Sequence, residues 1–200
     1  CCRRLQAHAM HFSLAPEVRE LADFREEPAH VCVKDTAGCR ETFDALVLAV
    51  GTRPLPWEHA HALARVAYEY KDIPAFVRRL LVVGGGEAAC DGALQSAETG
   101  KDVVLAVRSA RLRARGVLAQ RVLSHPRIDV RFSTHVCGLQ ERENELACMF
   151  SASPETTEFF DFVLFCGGRT GALTLDFPSP NGLRFSSRIW VIGDARRGSL

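Results

Sequence analysis

The sequence has no excess of charge of either sign and no long apolar run. It holds 25 lysines and arginines against 24 acidic residues, so its formal net charge is only +1. A chain without a basic excess has little attraction for nucleic acid or for an anionic membrane surface. No apolar run approaches the length of a membrane-spanning helix. The sequence therefore predicts neither a nucleic-acid partner nor a membrane partner.

The eight cysteines include no C-x-x-C pair. Zinc ribbons and dithiol redox motifs need cysteines at that spacing, so both kinds of site are excluded and no metal site is predicted. Cys90, Cys148 and Cys166 lie in apolar stretches, where a cysteine is usually a small core residue. Unpaired thiols are typical of a reducing compartment, so we expect a cytoplasmic location.

The most informative motif follows the apolar run Leu80–Val83, which is typical of a buried parallel strand. Three glycines and then small residues at helical spacing give the pattern G-x-G-x-x-A, which opens a dinucleotide-binding unit. Gly84 permits a tight turn, Gly86 lets a pyrophosphate approach the backbone, and Ala89 lets the helix lie close to the sheet. The helix N-terminus adds unpaired N–H groups for the phosphates. The predicted phosphate-binding residues are Gly84, Gly85, Gly86, Glu87, Ala88 and Ala89.

Strands alternate with helices around this motif. Such alternation implies a parallel sheet with crossover helices, and the later strand-like runs imply an added meander. The predicted strands are 80–83, 102–107, 128–133, 145–150 and 159–165, and the predicted helices are 86–99 and 115–124.

Strand-like runs also occupy the N-terminal part of the chain, at Ser13–Leu21, His30–Lys34 and Thr42–Val50. They predict a β-meander whose last strand is apolar and returns to a buried sheet. A proline-containing connector with a short helical stretch near His59–Val66 separates this part from the glycine motif. A final apolar strand, Arg188–Asp194, ends in Gly-Asp.

Arginines follow the second strand after the glycine motif, at positions 108, 111, 113 and 115. A site specific for NAD carries Asp or Glu in this place to bind a ribose hydroxyl, but no acid occurs from Ser109 to Ala119. Guanidinium groups suit the additional 2′-phosphate of NADP, which they bind through paired hydrogen bonds. Arg108 and Arg113 are therefore predicted to bind NADP(H). The alternative, that this run is the solvated start of a helix, stays open.

Five segments, in order along the chain, resemble the thioredoxin-reductase-like flavoproteins, which have two dinucleotide-binding domains. The resemblance implies NADPH and FAD as cofactors, and it assigns no residue of this chain as acid, base or nucleophile. It implies that Gly51, Thr52, Gly193 and Asp194 contact the flavin cofactor. The matching segments are Phe43–Pro54, Val83–Ala89, Val107–Ala114, Val163–Arg169 and Val191–Asp194.

The same resemblance implies the domain organisation of an α/β protein. A Rossmann-like, three-layer ββα NAD(P)-binding domain is expected at residues 58–169. It is inserted in a partial FAD-binding domain made of residues 1–57 and 170–200. The family's first FAD-binding glycine motif has no counterpart in the sequence. We therefore expect these 200 residues to be either a piece of a longer reductase or a relative that has lost flavin. Whether the full-length protein forms a homodimer stays open.

Two departures from the family bear on the reaction. Family members carry a redox C-x-x-C before the NADPH loop, where this chain has Val66–Pro74 without cysteine. That segment is more similar to the related ferredoxin or flavodoxin–NADP reductases. The resemblance thus implies electron transfer to ferredoxin, flavodoxin or another acceptor rather than through a dithiol. In the basic segment, Val107 and Ser109 replace the family's His and Arg, which weakens the expected preference for NADP.

Three hypotheses on function follow from these observations. The leading one is an NADPH-dependent FAD flavoprotein oxidoreductase. The second is a non-catalytic NADP(H)-binding or scaffold module without flavin. The third is a disulfide reductase that uses distant cysteines such as Cys90 and Cys137.

Overall fold

The fold has two units, and the sequence of one is inserted in that of the other. The inner unit spans Arg53–Thr170, and the outer unit comprises Cys1–Thr52 and Gly171–Leu200. The computed structural model describes residues 9–12, 17–60, 63–172 and 186–193.

Two complete α-helices and fifteen strands lie within the described residues, and residues 9–11 are helical as well. The helices are α1 Glu87–Glu98 and α2 Gly116–Ser124. The strands are β1 Leu21–Glu26, β2 Val31–Asp35, β3 Arg40–Phe43, β4 Leu46–Leu48, β5 Thr52–Pro54, β6 Val66–Ala67, β7 Arg79–Val83, β8 Asp102–Ala106, β9 Ile128–Arg131, β10 Val136–Arg142, β11 Glu145–Phe150, β12 Ser153–Phe160, β13 Phe162–Phe165, β14 Arg169–Gly171 and β15 Ile189–Val191.

A parallel sheet in the order β6-β13-β7-β8-β9 forms the middle layer of the inner unit. Because side chains alternate between the faces of a strand, Leu80 and Val82 pack against α1 and α2, and Leu81 packs on the other side. An antiparallel sheet, β10-β11-β12, covers that second face. Both faces are buried, which explains why β7 is apolar from Leu80 to Val83. The predicted α/β, three-layer ββα fold is confirmed.

Small residues let α1 lie close to the sheet. Ala89, Ala93 and Ala97 are buried in the core between the helix and the strands. A Cβ at Gly92 would lie 2.6 Å from a methyl carbon of Leu164 on β13. The spacing of small residues that predicted this helix therefore reflects its packing distance.

The predicted strand 159–165 is two strands in the structure. The break falls at Asp161, where the chain passes from the antiparallel to the parallel sheet. The carboxylate of Asp161 accepts hydrogen bonds from the backbone N–H groups of Arg78 and Arg79, at 2.7 and 2.8 Å. The residues on both sides of Asp161 are apolar, so the sequence pattern predicted one continuous strand and gave no sign of the change of sheet.

Three predictions for the region before the glycine motif were also wrong. The strand predicted at Ser13–Leu21 is one of them, because β1 begins only at Leu21 and the described residues 17–20 form no strand. The strand predicted at Thr42–Val50 is divided into β3 and β4, because β3 pairs with β2 whereas β4 pairs with β15. In place of the helix near His59–Val66, the described residues there contain a short 3-10 turn at Glu58–Ala60 and the start of β6. Strand β10 was not predicted.

The outer unit contains a meander, β1-β2-β3, and a parallel pair formed by β4 and β15. Its core is formed by Val31, Leu48, Ile189 and Val191. No helix in the described part of the chain is long and apolar enough to cross a membrane.

Glu158 links the two sheets of the inner unit. Its side chain on β12 accepts hydrogen bonds from Arg79 on β7, at 2.8 Å, and from Arg131 on β9, at 2.5 Å. The guanidinium of Arg79 also lies over the ring of Phe160, 4.8 Å from its centroid. The hydrogen bond from Arg131 is the main cause that lowers the pKa of Glu158 below its ordinary value.

We expect Glu158→Gln to lower the free energy of unfolding by about 1 kcal/mol at neutral pH, because solvent partly screens the network. A lowered folded-state pKa means that the stabilisation is present above the ordinary carboxyl pKa and is lost as pH falls through the folded pKa. Urea unfolding should therefore show a difference between wild type and variant that shrinks on acidification. Exposed Glu155, changed to Gln, is the control; a difference independent of pH would contradict this role.

Candidate dinucleotide-binding site

Gly84 makes the turn at the carboxyl end of β7. Its φ of +143° lies in a region that side chains rarely adopt. A Cβ at this position would lie 2.6 Å from the carbonyl oxygen of Cys166, which follows β13. The backbone N–H of Gly84 donates to the carbonyl oxygen of Ala106 on β8, at 3.0 Å. Glycine is therefore required here by the fold itself.

Gly85 is also required by packing. A Cβ on Gly85 would lie 2.7 Å from a methyl carbon of Val107, which is buried directly after β8. The glycine loop thus packs on Val107, which replaces the histidine of the flavoproteins that this chain resembles.

Gly86 differs from its two neighbours. Its φ is −90°, a value open to any residue, and the described residues place no atom within 4 Å of a Cβ there. Gly86 is the N-cap of α1 and no side chain caps this helix start, so the first N–H groups of the helix have neither an intrahelical partner nor a side-chain cap. The first helical hydrogen bond runs from Cys90 N–H to the Gly86 carbonyl, at 3.1 Å. This arrangement leaves room and donors for a phosphate.

The basic segment is held beside this loop by a backbone hydrogen bond. The N–H of Arg113 donates to the carbonyl oxygen of Gly85, at 2.7 Å. The side chains of Arg108 and Arg113 are exposed, and neither has an ion-pair partner among the described residues. Arg115 Nε lies 3.0 Å from Glu87 Oε1 at the start of α1. Tertiary structure thus brings the predicted phosphate loop and the predicted arginines together.

Glu87 and Ser109 have local partners. Glu87 pairs with Arg115 and lies in the first turn of α1, where the helix dipole favours a negative charge. The Ser109 hydroxyl donates to the carbonyl oxygen of Arg111, at 2.7 Å, and so stabilises the turn in the basic segment. Ser109 is therefore engaged with the backbone where related flavoproteins have an arginine.

The residues predicted to bind flavin belong to the outer unit. Gly51 follows β4 and Gly193 follows β15, so both lie at the carboxyl edge of one parallel pair. Ligands of parallel sheets bind at this edge. Both glycines have positive φ, +70° and +64°. Thr52 begins β5, and Asp194 lies outside the described residues.

The cysteines proposed as a distant redox pair are far apart in the inner unit. Cys90 is buried in α1, on the helix side of the parallel sheet, and Cys137 is exposed on β10, on the other side. Burial raises the pKa of Cys90 to about 11 and that of Cys148 and Cys166 to about 12. Thiols with so high a pKa are poor nucleophiles near neutral pH. No cluster of three metal-ligating side chains occurs among the described residues.

One polar pair at the same edge of the sheet was missed by sequence reasoning. Arg169, at the start of β14, donates from Nη1 to Oε1 of Glu69, which follows β6, at 2.6 Å. The two residues are 100 positions apart, so no local spacing could reveal their contact.

Comparison with known proteins identifies the family. The model of the pyridine nucleotide-disulphide oxidoreductase family matches residues 15–177. The thioredoxin reductase of Penicillium chrysogenum is 35% identical over an alignment of 101 residues, and the match covers 46% of this chain and 30% of that protein. That of Pneumocystis carinii is 27% identical over an alignment of 144 residues, and the match covers 68% of this chain and 44% of that protein. The chain thus spans less than half the length of these relatives.

Solved structures share the fold at low sequence identity. The thioredoxin reductase of Lactococcus lactis gives a TM-score of 0.80 at 17% identity, over 96% of this chain and 70% of that one. The bacillithiol disulfide reductase of Bacillus cereus gives 0.77 at 17% identity, over 99% of this chain and 69% of that one. At this identity the likeness concerns the fold alone.

The three loop glycines should respond differently to substitution. We expect Gly84→Ala to lower the free energy of unfolding by about 3 kcal/mol, from backbone strain and the collision with Cys166. Gly86→Ala should change it by less than about 0.5 kcal/mol. Gly100→Ala is the matched control, because Gly100 has φ +90° and the described residues place no atom within 4 Å of a Cβ there. Backbone strain alone should cost about 1 kcal/mol at this position. Equal losses for Gly84→Ala and Gly86→Ala in urea unfolding would contradict the assigned roles.

The family match covers most of the chain and agrees with the three-layer fold around the glycine motif. Thioredoxin-reductase-like members of this family bind FAD and NADPH, the two cofactors that the sequence predicts. The chain belongs to the pyridine nucleotide-disulphide oxidoreductase family.

Proposed function

We propose that this chain is part of an NADPH-dependent FAD flavoprotein oxidoreductase and that its inner unit binds NADPH. One observation carries the proposal: the open N-terminus of α1 at Gly86 lies beside a basic segment tied to the same loop through Arg113. Backbone donors and guanidinium groups together suit a dinucleotide that carries an additional phosphate.

Each part of the loop has a separate task in this proposal. N–H groups at the start of α1 bind the pyrophosphate, and Gly86 provides the space for its approach. Arg108 and Arg113 bind the 2′-phosphate. The side chain of Glu87 holds Arg115 and so orients the basic segment, while the N–H group of Glu87 is one of the proposed phosphate donors. Hydride chemistry belongs to the nicotinamide and the flavin when they are bound, while the chain binds and orients them.

The outer unit is proposed to bind FAD at the carboxyl edge of β4 and β15. Gly51, Thr52, Gly193 and Asp194 are the residues assigned to this role. The bare backbone of the two glycines at that edge fits the close approach of a cofactor. The domain limits proposed for the protein are 1–57 and 170–200 for the FAD-binding part and 58–169 for the NAD(P)H-binding part.

The electron acceptor is proposed to be a redox protein such as ferredoxin or flavodoxin, or a small acceptor, reached without a dithiol of this chain. The absence of C-x-x-C from the sequence and the separation of Cys90 from Cys137 favour this route. Because the named relatives are thioredoxin reductases, thioredoxin is the alternative acceptor with which ferredoxin and flavodoxin should be compared. A cytoplasmic location and a homodimeric whole protein complete the proposal.

Removal of the two free arginines should reduce the preference for NADPH over NADH. We expect the double variant Arg108→Gln, Arg113→Gln to lower the ratio of the two affinities by about tenfold or more, because charge-assisted hydrogen bonds to the 2′-phosphate are lost. Calorimetric titration with each dinucleotide measures the ratio.

Two controls frame this measurement. The variant Arg78→Gln, Arg127→Gln removes two exposed arginines at the opposite edge of the sheet and should leave the ratio unchanged. Gly86→Val should abolish binding of both dinucleotides without unfolding the chain. An unaltered ratio in the Arg108 and Arg113 double variant would mean that the basic segment is only a solvated surface.

Flavin content separates an oxidoreductase from a non-catalytic NADP(H)-binding module. We expect the full-length protein to carry FAD, detected by its visible absorbance, and to show bleaching of that absorbance on addition of NADPH without oxygen. A colourless full-length protein that binds NADPH but takes up no added FAD would favour the module instead.

A further inference from the structure

We propose that Glu69, held in place by Arg169, positions the nicotinamide half of the dinucleotide. This inference deepens the proposed function and rests on it. It assigns a role to the segment Val66–Pro74, where related reductases carry their redox cysteines and this chain has none.

Strand order determines which way the dinucleotide runs. The carboxyl ends of the parallel strands follow the order β6, β13, β7, β8. The glycine loop follows β7 and Arg108 lies just beyond β8, so a 2′-phosphate bound there places the adenosine half over β8. The pyrophosphate separates the two halves, and the nicotinamide half must then lie over β13 and β6. Glu69 follows β6, three strand spacings or about 14 Å from β8.

The carboxyl end of β13 offers the nicotinamide half a surface of backbone without side chains. Gly167 and Gly168 follow this strand. A Cβ at Gly167 would lie 2.1 Å from the ring of Phe165, so packing excludes a side chain there. The Phe165 ring is stacked on Trp57, with centroids 4.6 Å apart. The backbone at Gly167 and Gly168 therefore carries no side chains, and the stacked rings of Phe165 and Trp57 pack beneath it.

Glu69 is the polar group that borders this surface. Its Oε1 accepts the 2.6 Å hydrogen bond from Arg169, and its side chain is 43% exposed. Among the described residues, its second oxygen, Oε2, has no donor. The Arg169 contact limits the rotamers of Glu69, so the free oxygen is held in a defined direction.

The chemistry of the nicotinamide half matches an ionised acceptor. That half carries donors in its ribose hydroxyl groups and in the NH2 of its carboxamide. A carboxylate accepts hydrogen bonds from either kind of donor. Glu69 is thus a positioning residue that binds one half of the cofactor and leaves the other half untouched.

The test compares NADP⁺ with 2′,5′-ADP, which lacks the nicotinamide half. By calorimetric titration of the full-length protein, Glu69→Gln should weaken NADP⁺ binding by about tenfold and leave 2′,5′-ADP binding unchanged. Glu69→Asp, which keeps the carboxylate, should restore part of the affinity. Glu58→Gln is the matched control, since Glu58 is an exposed acid of the same unit and its side chain is 85% exposed.

A third ligand distinguishes the two donors. In nicotinic acid adenine dinucleotide phosphate, a carboxylate replaces the carboxamide and removes its NH2 donor. A preference of wild type for NADP⁺ over this analogue that disappears in Glu69→Gln assigns the carboxamide as the group bound. A preference that persists, together with the tenfold loss, assigns the ribose hydroxyl groups.

Other outcomes overturn the inference. Equal weakening of NADP⁺ and 2′,5′-ADP would mean that Glu69 acts only on the structure of the loop, and unchanged NADP⁺ binding would mean that it does not touch the cofactor. In both cases 2′,5′-ADP still binds wild type, so the proposed function stands. If wild type binds neither ligand, the proposed function fails and this inference fails with it.

Discussion

The close contact between Gly84 and the backbone of Cys166 is the constraint on which the candidate site depends. Strand β7 lies between β13 and β8, and its chain must turn within the space that these two neighbours leave. Gly84 meets this demand with a positive φ and no side chain, while its N–H binds the carbonyl oxygen of Ala106. A Cβ there would lie 2.6 Å from the carbonyl oxygen of Cys166 and 3.2 Å from the Cβ of Ala89, so β13 and α1 could not both keep their present distance from the turn.

Two of the three loop glycines serve the fold, and the third is free for function. Contacts with Cys166 and Val107 explain Gly84 and Gly85, whereas no contact among the described residues explains Gly86. A glycine at an uncapped helix start that packing does not require supports the proposal that a phosphate binds there. Gly86, the glycine that packing does not require, is therefore the strongest indication of the proposed phosphate site.

The edge of the parallel sheet collects polar groups from segments that are distant in sequence. The basic segment is tied to the loop through Arg113, and Glu69 is tied to Arg169 one strand further along. Where related reductases carry cysteines, this chain has a carboxylate paired with a guanidinium. The same three-layer fold persists at 17% identity to the structures compared, because it depends on buried apolar strands rather than on the residues at their ends.

The succession of strands and helices from β7 to β9, the glycine loop and the basic segment follow from the sequence by itself, because periodicity and glycine spacing are local properties. Only the tertiary structure decided the rest. The break at Asp161 and the division of Thr42–Val50 depend on which sheet each strand joins. A local apolar run does not specify the strand with which it pairs. The bond from Arg113 to Gly85 and the pair of Glu69 with Arg169 arise because parallel strands bring their carboxyl ends to one edge, whatever their distance along the chain.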